Sequence, residues 1–122
     1  MKFFQLGNEE LVISTTEGHM NDQSHFEIKE LHPNTVDAAQ EKHLPVIEVH
    51  DKQVMVNVGS ISHPMTEEHL ITTVYLETKK GGQFKQLLST DAPIATFELT
   101  NDDEAVAAYA YCNLHGLWKT EA

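Results

Sequence analysis

Asp102-Asp103-Glu104-Ala105-Val106-Ala107-Ala108-Tyr109-Ala110-Tyr111-Cys112 is the stretch on which the fold turns. Alanine is the best helix former, and acids leading the run suit a helix N-terminus. Taken alone, the stretch reads as helix. Its neighbours argue against that. Val46, Glu48 and His50 alternate with Ile47 and Val49, and Gln53 to Val58 sets valine on one face before Gly59-Ser60 stops it. Leu70 to Leu76 reads as a longer strand with Leu70, Val74 and Leu76 on one face. Phe84 to Leu88 and Ala95 to Leu99 read as two more, with turns at Lys79-Lys80-Gly81-Gly82 and Asp91-Ala92-Pro93. Several short strands punctuated by glycine and proline predict an all-β sandwich. In a sandwich the opening stretch becomes a turn at 101–104 and a strand from about Val106, and that strand delivers Cys112.

Ahead of this, residues 1–40 carry weaker strand signals. Leu11 to Thr15 is short and β-branched, and Phe26 to Leu31 alternates apolar with charged. Glu17 to Asp22 reads as the turn between them. His32-Pro33-Asn34-Thr35 breaks the pattern. The expected organisation is a small β-rich N-terminal appendage over 1–33, then a sandwich over 34–122.

The 122 residues carry a formal net charge of −11; all eight basic residues are lysine. So acidic a chain, without a guanidinium, is a poor partner for nucleic acid. An anionic substrate would be repelled at long range, so a local positive centre must prevail at short range. One cysteine cannot form an internal disulfide, and a lone thiol among eight histidines fits a reducing compartment and metal binding. No apolar run suits a signal peptide or a membrane helix. The expectation is a cytoplasmic protein off the membrane.

Three short stretches set histidines in unusual company: Glu41-Lys42-His43-Leu44-Pro45, Gly59 to His69, and Tyr111-Cys112-Asn113-Leu114-His115-Gly116-Leu117-Trp118. A thiolate and an imidazole in Cys-x-x-His spacing can reach one metal ion. Thr66 can cap a short helical turn through the amides of Glu68 and His69. Pro45 and Pro64 fix the backbone beside candidate ligands. His19, His25, His32 and His50 fall outside these stretches and read as surface residues. His43, His63, His69 and His115 with Cys112 make five donors. Structural zinc takes four. Blue copper wants an axial methionine, which in the cupredoxins follows the histidine by a few residues; none follows His115. Four nitrogens and an axial sulfur are closer to a thiolate-ligated haem iron with imidazoles in place of the porphyrin.

At these residues the chain resembles the superoxide reductases, the desulfoferrodoxin and neelaredoxin family. The resemblance runs from about Asn34 to Lys119, through Thr35-Val36-Asp37-Ala38-Ala39 with Glu41-Lys42-His43, Val58-Gly59-Ser60 with His63-Pro64-Met65 and Glu68-His69, and Tyr111 to Trp118. It implies an immunoglobulin-like β-sandwich that commonly forms a homodimer or higher homo-oligomer. It implies one iron per chain, Fe2+/Fe3+, held by His43, His63, His69 and His115 with Cys112 as axial thiolate. It implies reduction of superoxide to hydrogen peroxide with electrons from an external donor, with rubredoxin the expected one. Lys42 would steer superoxide and order a protonating water, and Glu41 would be the sixth ligand of the ferric state. Two-iron members begin with a four-cysteine domain; residues 5–33 here contain no cysteine, so no second iron is expected. Leu70-Ile71-Thr72-Thr73 stands where the family often has aromatic residues. The competing readings are a cupredoxin-like electron carrier and a non-catalytic metal-binding β-sandwich module.

Overall fold

A computed structural model describes residues 1–7, 10–15 and 28–122, and these fall into two units, Met1–His32 and Pro33–Ala122. The first unit is a three-stranded antiparallel sheet of β1 (Lys2–Leu6), β2 (Glu10–Ser14) and β3 (Ile28–Leu31), with β1 central. The sequence pattern does not single out β1, yet its Phe3 and Phe4 are buried. The turn expected over Glu17 to Asp22, the start of the Phe26–Leu31 strand, and His19 and His25 lie outside the described residues.

The second unit opens with a single helical turn, α1 (Gln40–His43). Seven strands follow: β4 (Pro45–His50), β5 (Gln53–Val58), β6 (Ile71–Thr78), β7 (Gly81–Gln86), β8 (Ile94–Glu98), β9 (Ala105–Cys112) and β10 (Gly116–Glu121). They form two antiparallel sheets, β10-β9-β6-β7 and β4-β5-β8. Both sheets feed one core. Val54, Val56 and Val58 of β5 and Ala95 and Phe97 of β8 pack with Ile71, Val74 and Leu76 of β6 and Ala108, Ala110 and Cys112 of β9. This is the expected all-β sandwich, in which side chains alternate between the core face and the outer face.

The alanine-rich stretch is a strand, as its neighbours predicted. Paired on both sides by β6 and β10, β9 is buried from Ala107 to Cys112. Tertiary pairing overrides the helix propensity of alanine. Its small residues also have a use: Ala110 lies opposite Trp118, and its lone methyl leaves room for the indole on the same face.

Two expectations need correction. Leu70 lies outside β6, and Ile71 takes the inner position with Val74 and Leu76. A register shift between Ile71 and Thr73 against β9 breaks the period of two, so parity counted from Leu76 picks the wrong residue. Gly81 and Gly82 belong to β7, leaving the turn to Lys79 and Lys80. Gly82 lies under the Tyr75 ring, which fills the space a side chain would take. β7 is a largely exposed edge strand that ends at Gln86, so Leu88 lies beyond it and Phe84 is 61% exposed. No described helix is long and apolar enough to cross a membrane.

Asp103 fastens the β6–β7 turn to the start of β9. Its Oδ1 accepts the amides of Lys80 (3.0 Å) and Glu104 (2.9 Å). Burial raises its pKa, but hydrogen bonds from Thr78 and those two amides outweigh this, and the net value is below the usual one. A depressed carboxyl pKa stabilises the fold above the unfolded-state value, and that stability is lost as pH falls through the folded-state value. Asp103→Asn should therefore lower the thermal midpoint at pH 7, with the gap to wild type closing below about pH 4. A gap unchanged by acid in thermal scans would contradict this assignment.

Candidate metal centre

The β9–β10 hairpin turns through residues 113–115 and closes at Gly116, whose φ of +78° is the left-handed conformation such a loop requires. Cys112 ends the inner row Ala108–Ala110–Cys112, fully buried. His115 sits in the turn beside it, Nδ1 3.9 Å from Sγ. The spacing works because a tight turn folds residue 115 back beside residue 112. Trp118 follows on the same face as Ala110. Its Nε1–H donates to the His115 carbonyl (3.0 Å), and its ring stacks on His43 at 4.9 Å and 28°.

α1 supplies His43, whose Nδ1–H donates to the Ala39 carbonyl at 2.7 Å. The turn lies directly over Gly59. A Cβ there would stand 2.5 Å from the Glu41 carbonyl oxygen and 2.9 Å from the Lys42 carbonyl carbon. The same oxygen accepts the Ile61 amide (2.9 Å) and the Ser60 hydroxyl (3.3 Å). His63 is held by its amide on the Val58 carbonyl (2.9 Å) and by its Nδ1–H on the Pro64 carbonyl (2.7 Å). Thr66 accepts the His69 amide through its hydroxyl at 3.0 Å, but residues 67–69 form a bend and not the expected helical turn.

The four rings stand at the corners of a square. Neighbouring centroids are 4.7 Å apart for His43–His63, 4.7 Å for His63–His69, 5.0 Å for His69–His115 and 4.9 Å for His115–His43. The His43–His69 diagonal is 6.4 Å. Neighbours are steeply inclined, between 75° and 90°. His43 Nε2 lies 3.2 Å from both His63 Nε2 and His115 Nδ1. Metal–imidazole bonds of about 2.1 Å at right angles separate neighbouring nitrogens by about 3 Å. One donor each from His43, His69, Cys112 and His115 lies within 4.8 Å of all the others.

The hydrogen bonds decide what fills the square. A neutral imidazole carries one N–H. In His43 and His63 that proton is on Nδ1, donated to Ala39 and Pro64, so both Nε2 atoms are bare lone pairs. Two bare acceptors 3.2 Å apart repel each other. A proton between them would need an imidazolium, which burial opposes: it pushes His63 down to about 4, and His43 and His69 are lowered by the same cause. His69 Nε2 is also buried and has no hydrogen-bond partner among the described residues. A metal cation satisfies all of these donors at once. Burial likewise raises the Cys112 thiol, partly offset by the Leu114 and His115 amides, so metal binding would release its proton.

The structure thus brings His43, His63, His69, Cys112 and His115 together. Lys42 and Glu41 are exposed at the edge of this group, and Lys42 makes no ion pair among the described residues. The Lys42 charge is felt at both His43 and His69, opposite corners of the square. His32 and His50 are exposed, 4.0 Å from Glu30 and 3.8 Å from Glu48. No sequence pattern reveals the parts played by Trp118, Gly59 and the Ala39 and Pro64 carbonyls. A carbonyl acceptor leaves no residue-type signature.

The family profile of desulfoferrodoxin matches residues 35–121. The chain belongs to the desulfoferrodoxin family. It is 48% identical to a desulfoferrodoxin of Syntrophotalea carbinolica over 92 residues, 75% of this chain and 71% of that one. A superoxide reductase of Pyrococcus horikoshii is 37% identical, over 66% of this chain and 85% of its own. Among solved structures, the superoxide reductase of Treponema pallidum superposes with a TM-score of 0.81 at 43% identity, covering 99% of this chain and all of that one. The one-iron superoxide reductase of Giardia intestinalis gives 0.59 at 30% identity, over 67% and 97%.

The desulfoferrodoxin domain holds a single non-haem iron, and the donors here fit it. Gly59→Ala should push the Glu41–Lys42 backbone outward and carry His43 with it. Iron affinity, measured by chelator competition, should fall about 10- to 100-fold. Unchanged affinity would show that α1 tolerates the displacement.

Proposed function

We propose that this desulfoferrodoxin is a superoxide reductase, converting superoxide to hydrogen peroxide with one electron and two protons. The facing lone pairs of the four-histidine square, with a buried thiol beside them, carry the reading. His43, His63 and His69 through Nε2, His115 through Nδ1 and Cys112 through Sγ would hold the iron. When bound, ferrous iron supplies the electron and a net positive centre among neutral imidazoles.

The remaining work falls to the chain. Lys42 supplies the positive charge that opposes the field of a −11 protein near the site. Its ammonium orders a water that protonates the reduced substrate. Glu41, next to it on α1, would offer a further donor to the oxidised metal, a hard oxygen suited to ferric iron. Burial keeps His43 and His63 neutral, and the reading assigns acid–base chemistry to the exposed Lys42 edge.

The electron donor is an external redox protein, rubredoxin in our reading, and the chain works as a homodimer or higher homo-oligomer in a reducing cytoplasm, where Cys112 stays reduced. The N-terminal unit lacks the cysteines that a rubredoxin-like iron needs, since residues 1–33 hold none. A cupredoxin-like carrier is disfavoured. Met65 is turned to the core, with its sulfur on the Ile71 amide at 3.4 Å, and is not available as an axial ligand.

The iron-loaded protein should consume superoxide stoichiometrically with reductant and release no dioxygen. Dioxygen evolution would make it a dismutase, and no consumption would leave a binding module. Lys42→Ala should slow second-order capture about tenfold or more and flatten its dependence on ionic strength. An unchanged rate in stopped-flow measurements would remove Lys42 from the mechanism.

A further inference from the structure

The four imidazoles are not held alike. His43 is fixed at its ring by the Ala39 carbonyl and the Trp118 stack, and His63 by the Pro64 carbonyl. His115 rides in the hairpin turn, its own carbonyl tied to Trp118. The His69 ring packs edge-on against His63 and His115, but its buried Nε2 has no hydrogen bond among the described residues, so its place depends heavily on its backbone. Thr66 closes the bend on itself, through its hydroxyl on the His69 amide and its amide on the His69 carbonyl (2.9 Å). Those contacts shape the bend but do not locate it.

Asn113 does. It lies between Cys112 and Leu114 in the hairpin turn, and its carboxamide brackets His69. Nδ2–H donates to the Glu68 carbonyl at 3.0 Å, and Oδ1 accepts the Leu70 amide at 3.0 Å. Its main-chain N–H adds a bond to the Leu70 carbonyl at 3.2 Å. The residues on either side of His69 are thus tied to the loop that carries Cys112 and His115. Only a group that donates and accepts at one carboxamide makes both side-chain bonds.

We propose that Asn113 is a positioning residue for His69, setting where this imidazole stands relative to Cys112 and His115. The inference rests on the reading of the cluster as a metal centre. Asn113→Asp keeps an acceptor for the Leu70 amide but turns an acceptor on the Glu68 carbonyl. Asn113→Ala loses both side-chain bonds. The main-chain bond remains in each, so the hairpin register survives.

The test loads wild type, Asn113→Ala, Asn113→Asp, His69→Ala and the His69→Ala/Asn113→Ala double variant with iron. It follows metal release to a chelator and the position of the sulfur-to-metal charge-transfer band, with thermal midpoints of the metal-free proteins as the control. Asn113→Ala should release iron about 10- to 100-fold faster with a shifted band, and Asn113→Asp should fall between it and wild type. In the His69→Ala background, Asn113→Ala should add nothing further. Wild-type release and band in Asn113→Ala, or an equal added effect in the His69→Ala background, would overturn the positioning role. Failure of wild type itself to take up iron would instead sink the metal-centre reading on which the inference stands.

Discussion

Two buried imidazole nitrogens with no proton between them are the constraint on which the rest of this structure depends. His43 and His63 spend their single N–H on backbone carbonyls, so their Nε2 lone pairs face each other at 3.2 Å. Burial prevents either ring from charging to relieve the repulsion. The fold holds the pair regardless: the Glu41 carbonyl ties α1 to Ser60 and Ile61, and the His63 amide is held on the Val58 carbonyl. Such an arrangement suits a cation, which would meet both lone pairs at once.

The sandwich serves this centre by bringing three distant stretches to one end. Strand β9 ends there with the thiol pointing inward, and the hairpin returns His115 and Trp118 beside it. Gly59 permits α1 to lie against the end of β5, where a methyl would exclude it. The His69 bend is laid across the hairpin through Asn113. The central core is apolar; among the described residues the buried histidines, His43 and His63, lie at the end that carries the centre, and Thr78 and Asp103 are buried at the β6–β7 turn.

How much of this was legible in the sequence varied with locality. Cys112 and His115 could be paired from spacing because a tight turn alone brings them together. Grouping them with His43, His63 and His69 spans some 70 positions; spacing suggested it, and only the family resemblance gave it roles. The strand at 105–112 was legible from the surrounding pattern of strands, against its own composition. The bulge in β6 was not, because one extra residue changes parity without changing composition. Gly81 and Gly82 read as turn, and only the overlying Tyr75 explains their place in a strand. Nor were the tautomers legible, since the acceptors at Ala39 and Pro64 are main-chain atoms.

The charge distribution follows the same logic. The chain as a whole repels anions, while the described surface near the centre presents Lys42 without an ion-pairing partner. The most direct test of the centre itself is X-ray absorption at the iron edge of protein loaded with one iron per chain. The account predicts a first shell of four imidazole nitrogens and a single sulfur, with that sulfur lost in Cys112→Ser. A shell without sulfur, or with fewer than four imidazoles, would contradict it.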